Sequence, residues 1–237
     1  IDGGTTALII AASTIDGDLT LTSGHASGIT DSGNVTVGGN LAATTDDNDG
    51  VINMGTLLVD GTVALTTNGT GAATVVNDAG LNFAASTVGG ALSATATTGN
   101  ITDSGTLAIT GTTTLVTSAN DATITLNDTS NAFTGALTIT TNDNSGTDAD
   151  VTIDGGTTAL IIAASTIDGD LTLTSGAAAG ITDTGTVTVL GDINLITDAS
   201  NGVIDMGTLA VTGSVDLTTH GSGDATLVNA TALDFEV

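Results

Sequence analysis

Two stretches of this 237-residue chain gather enough oxygen donors to hold a hard cation. One is Asp46-Asp47-Asn48-Asp49-Gly50; the other runs Asn142-Asp143-Asn144-Ser145-Gly146-Thr147-Asp148-Ala149-Asp150. Ca²⁺ takes six to eight such oxygens, so Asp46, Asp47, Asp49, Asp143, Asp148 and Asp150 are the candidate ligands, and Ca²⁺ is the one cofactor they would recruit. The competing reading is plain turn chemistry, since Asp and Asn bond their own backbone and favour tight turns. Neither stretch fits the EF-hand loop, and no glycine-rich nonapeptide Ca²⁺ repeat occurs. A later copy of the first cluster reads Asp198-Ala199-Ser200-Asn201-Gly202 and has lost most of its charge.

Catalytic constellations are poorer. Paired carboxylates can serve as acid and base in glycoside cleavage. Yet Asp16-Gly17-Asp18 recurs as Asp168-Gly169-Asp170 at turn-like positions, and a catalytic pair has no reason to be copied. His25 and His220 align with Ala177 and Asn68 in the other copy, so they form no repeated site. The absence of Cys removes thiol catalysis, disulfides and zinc clusters together. No catalytic residue is assigned, and the chain reads as a non-enzyme.

The charge balance excludes further classes. There are 26 acidic side chains and no Lys or Arg, a formal charge of −26. Nothing here can follow a phosphate backbone or draw the chain to anionic lipid, and a P-loop lacks its Lys. Nucleic acid and membrane insertion are therefore not expected. Disorder fits poorly with 40% hydrophobic residues and a mean hydropathy of +0.39.

The elements that must position these residues are strands. Helix formers are nearly missing, while Thr alone occurs 51 times. Alternation of period two recurs, as in Leu19-Thr20-Leu21-Thr22, Val35-Thr36-Val37 and Leu137-Thr138-Ile139-Thr140, with Gly, Asp and Asn between the runs.

Residues 1–24 recur letter for letter as 153–176, and the match continues at lower identity with an offset of 152. The expected organisation is a full unit over 1–152, a partial second copy over 153–237, and one continuous solenoid. Within the unit a loose template recurs at 17–37, 39–59, 89–109, 169–189 and 191–211. Spacings of 22 alternate with spacings of 28–30, which predicts six coils per unit and about nine in all. The predicted fold class is an all-β parallel β-helix (β-solenoid) with about 22–30 residues and roughly three short strands per coil. Leu19, Leu21, Ile29, Val35 and Val37 are the expected inward residues, stacked coil upon coil. No polar cap is visible, so the strand edges at either end are expected to favour continuation.

Strings such as Gly55-Thr56-Leu57-Leu58-Val59-Asp60-Gly61-Thr62-Val63 and Gly105-Thr106-Leu107-Ala108-Ile109-Thr110-Gly111-Thr112 resemble the repeats of filamentous-haemagglutinin-type proteins, giant secreted bacterial β-helical adhesins. The resemblance implies export to a bacterial surface, a fibrous stalk and a role in attachment.

Two functional expectations follow. The first is a structural repeat of a giant extracellular filament, sheath or adhesin stalk from a prokaryote. Its partners would be copies of itself, joined end to end and laterally through Ca²⁺-bridged Asp turns. A chain without Lys or Arg offers trypsin-like proteases no cleavage site, which suits a long-lived extracellular material. The second is an adhesive module whose outward Thr and Asp arrays, such as Thr20 and Thr22, engage a surface, a glycan or ice. Five Asn-x-Ser/Thr sequons, at Asn34, Asn68, Asn100, Asn127 and Asn229, are as many as chance supplies and decide nothing.

Overall fold

A computed structural model describes residues 1–46, 49–144, 148–198 and 201–235. The described residues contain no helix, and their strands pair in parallel from one coil to the next in two stacked sheets of 15 and 14 strands. The chain is a β-solenoid. On the first sheet the stack runs through eleven levels from Leu8–Ile10 to Ala225–Asn229, ten turns among the described residues. At about 4.8 Å per turn the stack is about 48 Å tall.

Inward and outward residues alternate as the period-two pattern requires. Leu19, Leu21, Ile29, Val35 and Val37 are all buried in one continuous apolar column, which also takes Phe83 and Phe133. Register is strict: Leu19, Leu41 and Val63 stand over one another, as do Leu171, Ile193 and Val215. A one-residue slip would turn a whole rung inside out.

The coil count differs from expectation. Partners on neighbouring rungs are separated by as few as 19 residues (Ala73 and Leu92) and as many as 27 (Ile124 and Val151). Seven steps, not six, carry the first sheet from Leu8 to Leu160, its equivalent 152 positions later. The residues assigned to coils of 28–30 are instead divided among shorter coils.

The reason is a change of side that a 22-residue template does not register. Within a rung, one side is a straight strand such as Leu19–Ser23. The other is a bent pair such as Leu8–Ile10 and Ser13–Ile15. Three bent-and-straight rungs are followed by one extra straight strand: Ala73–Asn77, then Val151–Asp154, then Ala225–Asn229. Seven sides is an odd number, so the bend moves to the opposite sheet at each repeat. The repeats begin at Leu8, Leu81 and Leu160, and each opens on Ala-Ala-Ser-Thr (11–14, 84–87 and 163–166). The 152-residue unit is thus two shorter repeats facing opposite ways.

Each mismatch between a bent and a straight strand is bridged by one side chain. Where straight strand Thr62–Thr66 meets the next bent pair, the Leu65 N–H donates to Ser86 Oγ (3.0 Å), whose hydroxyl donates to the Ala84 carbonyl (2.8 Å). Ser165 makes the same relay between Ile139 and Ala163. Where bent strand Ile52–Val59 meets straight Ala73–Asn77, the buried Asn77 amide substitutes for backbone. Its Oδ1 accepts from the Val59 N–H (2.8 Å), and its Nδ2 donates to the Val59 and Gly80 carbonyls. Asn229 repeats this against Val211.

Candidate functional site

The first acidic cluster is an arch. Thr45 ends its strand inside the core and donates from Oγ1 to the Gly50 carbonyl (2.7 Å). Asp49 takes a left-handed backbone (φ 55°), and its Oδ1 accepts from the Thr70 N–H on the next rung (2.7 Å). Asp46 is exposed, and its carbonyl accepts from Asn68 Nδ2. Asp47 lies outside the described residues. The same arch occurs twice more, with Thr117 bonded to Ala122 beside Asp121 (φ 60°) and Thr197 to Gly202 beside Asn201 (φ 54°). Asn201 Oδ1 accepts from the Ser222 N–H, doing without charge what Asp49 does with it. Asp and Asn are the non-glycine residues best suited to this backbone region. Asp49→Asn is therefore expected to leave thermal stability unchanged, while Asp49→Ala costs about 1 kcal/mol. Equal melting curves for the two variants would contradict a capping role.

The second cluster divides. Asp143 follows strand Leu137–Asn142, and its N–H donates to Asp168 Oδ2 (3.0 Å). One rung away, desolvation, then hydrogen bonding and repulsion from Asp143, with a contribution from Asp148, hold the Asp121 carboxyl above the ordinary range. Asp150 belongs elsewhere, to a ladder on the other sheet. Its Oδ1 accepts from the Asp170 N–H, Asp170 Oδ1 accepts from the Asp192 N–H, and Asp192 Oδ1 accepts from the N–H and hydroxyl of Ser214. The fold thus draws Asp143 and Asp148 toward Asp121 but sets Asp150, and the Asp46 and Asp49 arch, apart from them. Among the described residues no three His, Asp or Glu side chains converge as a metal site would require.

The Ser214 bonds hold Asp192 below the ordinary carboxylate range. Asp154 is held above it by desolvation, opposed by the Gly156 N–H and reinforced by the charges of Asp198, Asp128 and Asp103. The two act with opposite sign. Asp192 contributes stability above its unfolded pKa, and this is lost as pH falls through its lower folded value. Asp154 opposes folding at neutral pH, and that opposition disappears as pH falls through its raised folded value. Asp154→Asn keeps the Gly156 bond and removes the charge, so it should raise the melting temperature at pH 7 by about 2–4 °C. At pH 3 the two chains should melt together; a pH-independent difference would refute the assignment.

Three carboxylates that cluster density does not single out are held most fully. Asp31 accepts from the Gly55 N–H (3.0 Å), the Thr56 N–H (2.7 Å) and the Thr56 hydroxyl (2.8 Å). Asp183 accepts from the same groups of Gly207 and Thr208. Asp103 accepts from the N–H groups of Asn127 and Asp128 and from Asn131 Nδ2. Each fills, from one rung back, the ring of N–H donors that a bend exposes. The signal available in the sequence is the recurring Ile-Thr-Asp-Ser/Thr-Gly at 29–33, 101–105 and 181–185.

Two concave features remain. A shallow groove of about 280 Å³ lies where the bent rungs give way to straight ones, lined by Thr36, Thr56, Leu57, Val76 and Asp78. Its counterpart 152 residues later is lined by Thr208, Leu209 and Val228. His25 and His220 are exposed in loops, and His25 Nδ1 accepts from the Ser27 N–H.

These features define a repeat protein of the β-solenoid class, with its carboxylates turned largely to holding one coil on the next. The chain belongs to a family described as repeats of unknown function (DUF5649), which it matches over residues 1–49, 70–140 and 148–206. Each matched segment takes in the Ala-Ala-Ser-Thr motif of one structural repeat. No curated protein and no solved structure matches the chain. The match and the winding support a repetitive β-helical protein, the coarser part of the filamentous-haemagglutinin resemblance.

Proposed function

We propose that this chain is a structural repeat segment of a giant extracellular filament, sheath or adhesin stalk, self-associating end to end and not catalytic. The observation that carries the reading is the use of the functional groups. Asp31, Asp49, Asp103, Asp150, Asp170, Asp183 and Asp192 all spend carboxylate oxygens on hydrogen bonds to the following rung. A carboxylate so employed is poorly placed for acid–base chemistry and well placed to stiffen a rod. The want of Lys and Arg supports a surface or extracellular setting in a prokaryote, where proteolysis limits lifetime. The resemblance to filamentous-haemagglutinin repeats supports an adhesin stalk in particular.

Copies of the chain are the partners in this reading. A rod with 26 like charges repels its neighbours. Assembly is therefore cation-sensitive, with Ca²⁺ bridging Asp arches between rods. A second reading, an adhesive module for a glycan, a surface or ice, draws on the groove that recurs 152 residues apart.

Cryo-electron microscopy of the native material with and without a calcium chelator tests the first reading. Continuous fibres with an axial spacing of ~4.8 Å are expected, and they should fray in chelator. Compact separate particles in both conditions would refute it and favour the adhesive module.

A further inference from the structure

We infer that the straight, uncharged face built from Ala73–Asn77, Leu92–Ala96, Thr113–Asn120 and Leu137–Asn142 is a lateral contact surface for a second copy of this chain. The inference rests on the structural reading above and deepens it, because it moves the lateral contact from the Asp arches to a neutral sheet face.

The face is segregated by charge. Its outward side chains include Thr74, Val76, Ser93, Thr95, Thr114 and Val116, and none of its strands' outward positions carries a charge. The nearest carboxylates, Asp78, Asp121 and Asp143, stand past the strand ends. In a chain of charge −26 with no cation, such a surface is the one place where two copies approach without opposing carboxylates. The face is also straight: Leu92–Ala96 pairs residue for residue with the strands on both sides, with none of the bends that break the other sheet at this height. The Thr74, Thr95 and Thr114 hydroxyls bond to nothing among the described residues and are available to a partner. Sheet-to-sheet packing would bring β-branched side chains together at about 10 Å between backbones, with the acidic arches left at the wet rim.

Area sets the strength. Four rungs at ~4.8 Å by five residues at ~3.3 Å give about 300 Å² per copy, against about 800 Å² per partner in a standard stable interface. One contact is weak, and a useful one needs repetition. Repetition is built in, because the straight stretch changes sheet at each repeat and so offers neighbours on opposite sides of the rod. Layers, and not bundles about one axis, are the natural product.

The test uses the full chain in small-angle X-ray scattering and sedimentation velocity over a concentration series, in 0.1 M and 1 M NaCl. A cross-section that broadens with concentration, more strongly at high salt, is expected. Thr95→Asp combined with Thr114→Asp should weaken pairing by about tenfold or more, since like charges would face each other across the contact. Ser27→Asp combined with Ser32→Asp adds the same charge at exposed positions off the face and should pair as the parent does. Circular dichroism melts establish that both variants fold. A parent chain of constant cross-section in 1 M NaCl, or equal pairing by the two double variants, would overturn the inference. Long rods of single width would overturn it while leaving the end-to-end reading standing. Broadening without lengthening would support the face and count against end-to-end growth. Capture on ice or polysaccharide particles, blocked by the face variant and without self-pairing, would assign the face to the adhesive reading instead.

Discussion

Asn77→Ala is expected to lower the free energy of unfolding by about 3 kcal/mol, one of the two largest single-residue effects in this chain. The Asn77 amide makes three bonds to backbone, and two of them serve the N–H and carbonyl of Val59. Asn77 itself is 1% exposed, so water does not readily replace it. Leaving buried polar groups unmade costs about 1–3 kcal/mol apiece. Asn77→Asp keeps the shape but loses both N–H donors and adds a buried charge, so it should do no better. The same change at Asn229, which is only partly buried, should cost less. Solenoid stability is a sum of neighbouring-rung terms, so hydrogen exchange is the sharper readout. Protection should fall first around Val59 and the strands on either side. An effect below about 1 kcal/mol, with exchange unchanged there, would mean that the side change does not depend on this amide.

That side change also marks the limit of what was legible in the amino-acid order. Period-two alternation exposed the strands and the inward residues, because burial of every second side chain is a local property. Leu19, Leu21 and Val35 could be placed before any fold was known. Coil number is not local in this way. A template of 22 residues reads Leu19, Leu41 and Val63 correctly and then fails at Ala84-Ala85. There two additional residues make a bend and transfer the pattern to the other sheet. The Asp residues show the same limit. Local density drew attention to 46–50 and 142–150, but a carboxylate's role here is decided by what lies one rung away. Asp31 looks isolated until Gly55 and Thr56 arrive beneath it, and Asp150 looks clustered until Asp170 claims it. The recurrence of Ile-Thr-Asp-Ser/Thr-Gly could have flagged Asp31, Asp103 and Asp183. It could not have shown which donors they hold.

The second large effect is expected at Gly180, and a comparison with Gly4 separates its two causes. Both glycines adopt a left-handed backbone, φ +62° at Gly180 and +53° at Gly4. A side chain in that region costs about 1–2 kcal/mol. At Gly4 that is the whole cost, because a β-carbon there would meet nothing within 4 Å. At Gly180 the β-carbon would stand 1.8 Å from the Val203 carbonyl oxygen. That oxygen is engaged by the Ile181 N–H, and the Gly180 carbonyl holds the Leu160 N–H. Relieving the clash therefore means parting three rungs. Gly4→Ala should cost about 1 kcal/mol, and Gly180→Ala a further ~3 kcal/mol or more as two bonds between coils are lost. Gly28 stands in the same relation to Val51, again at 1.8 Å, and its alanine variant should match Gly180→Ala to within about 1 kcal/mol. Urea denaturation of the three variants measures these differences. If Gly4→Ala and Gly180→Ala cost the same, backbone conformation alone accounts for both glycines, and the rungs are not packed as closely at these arches as the strand register implies.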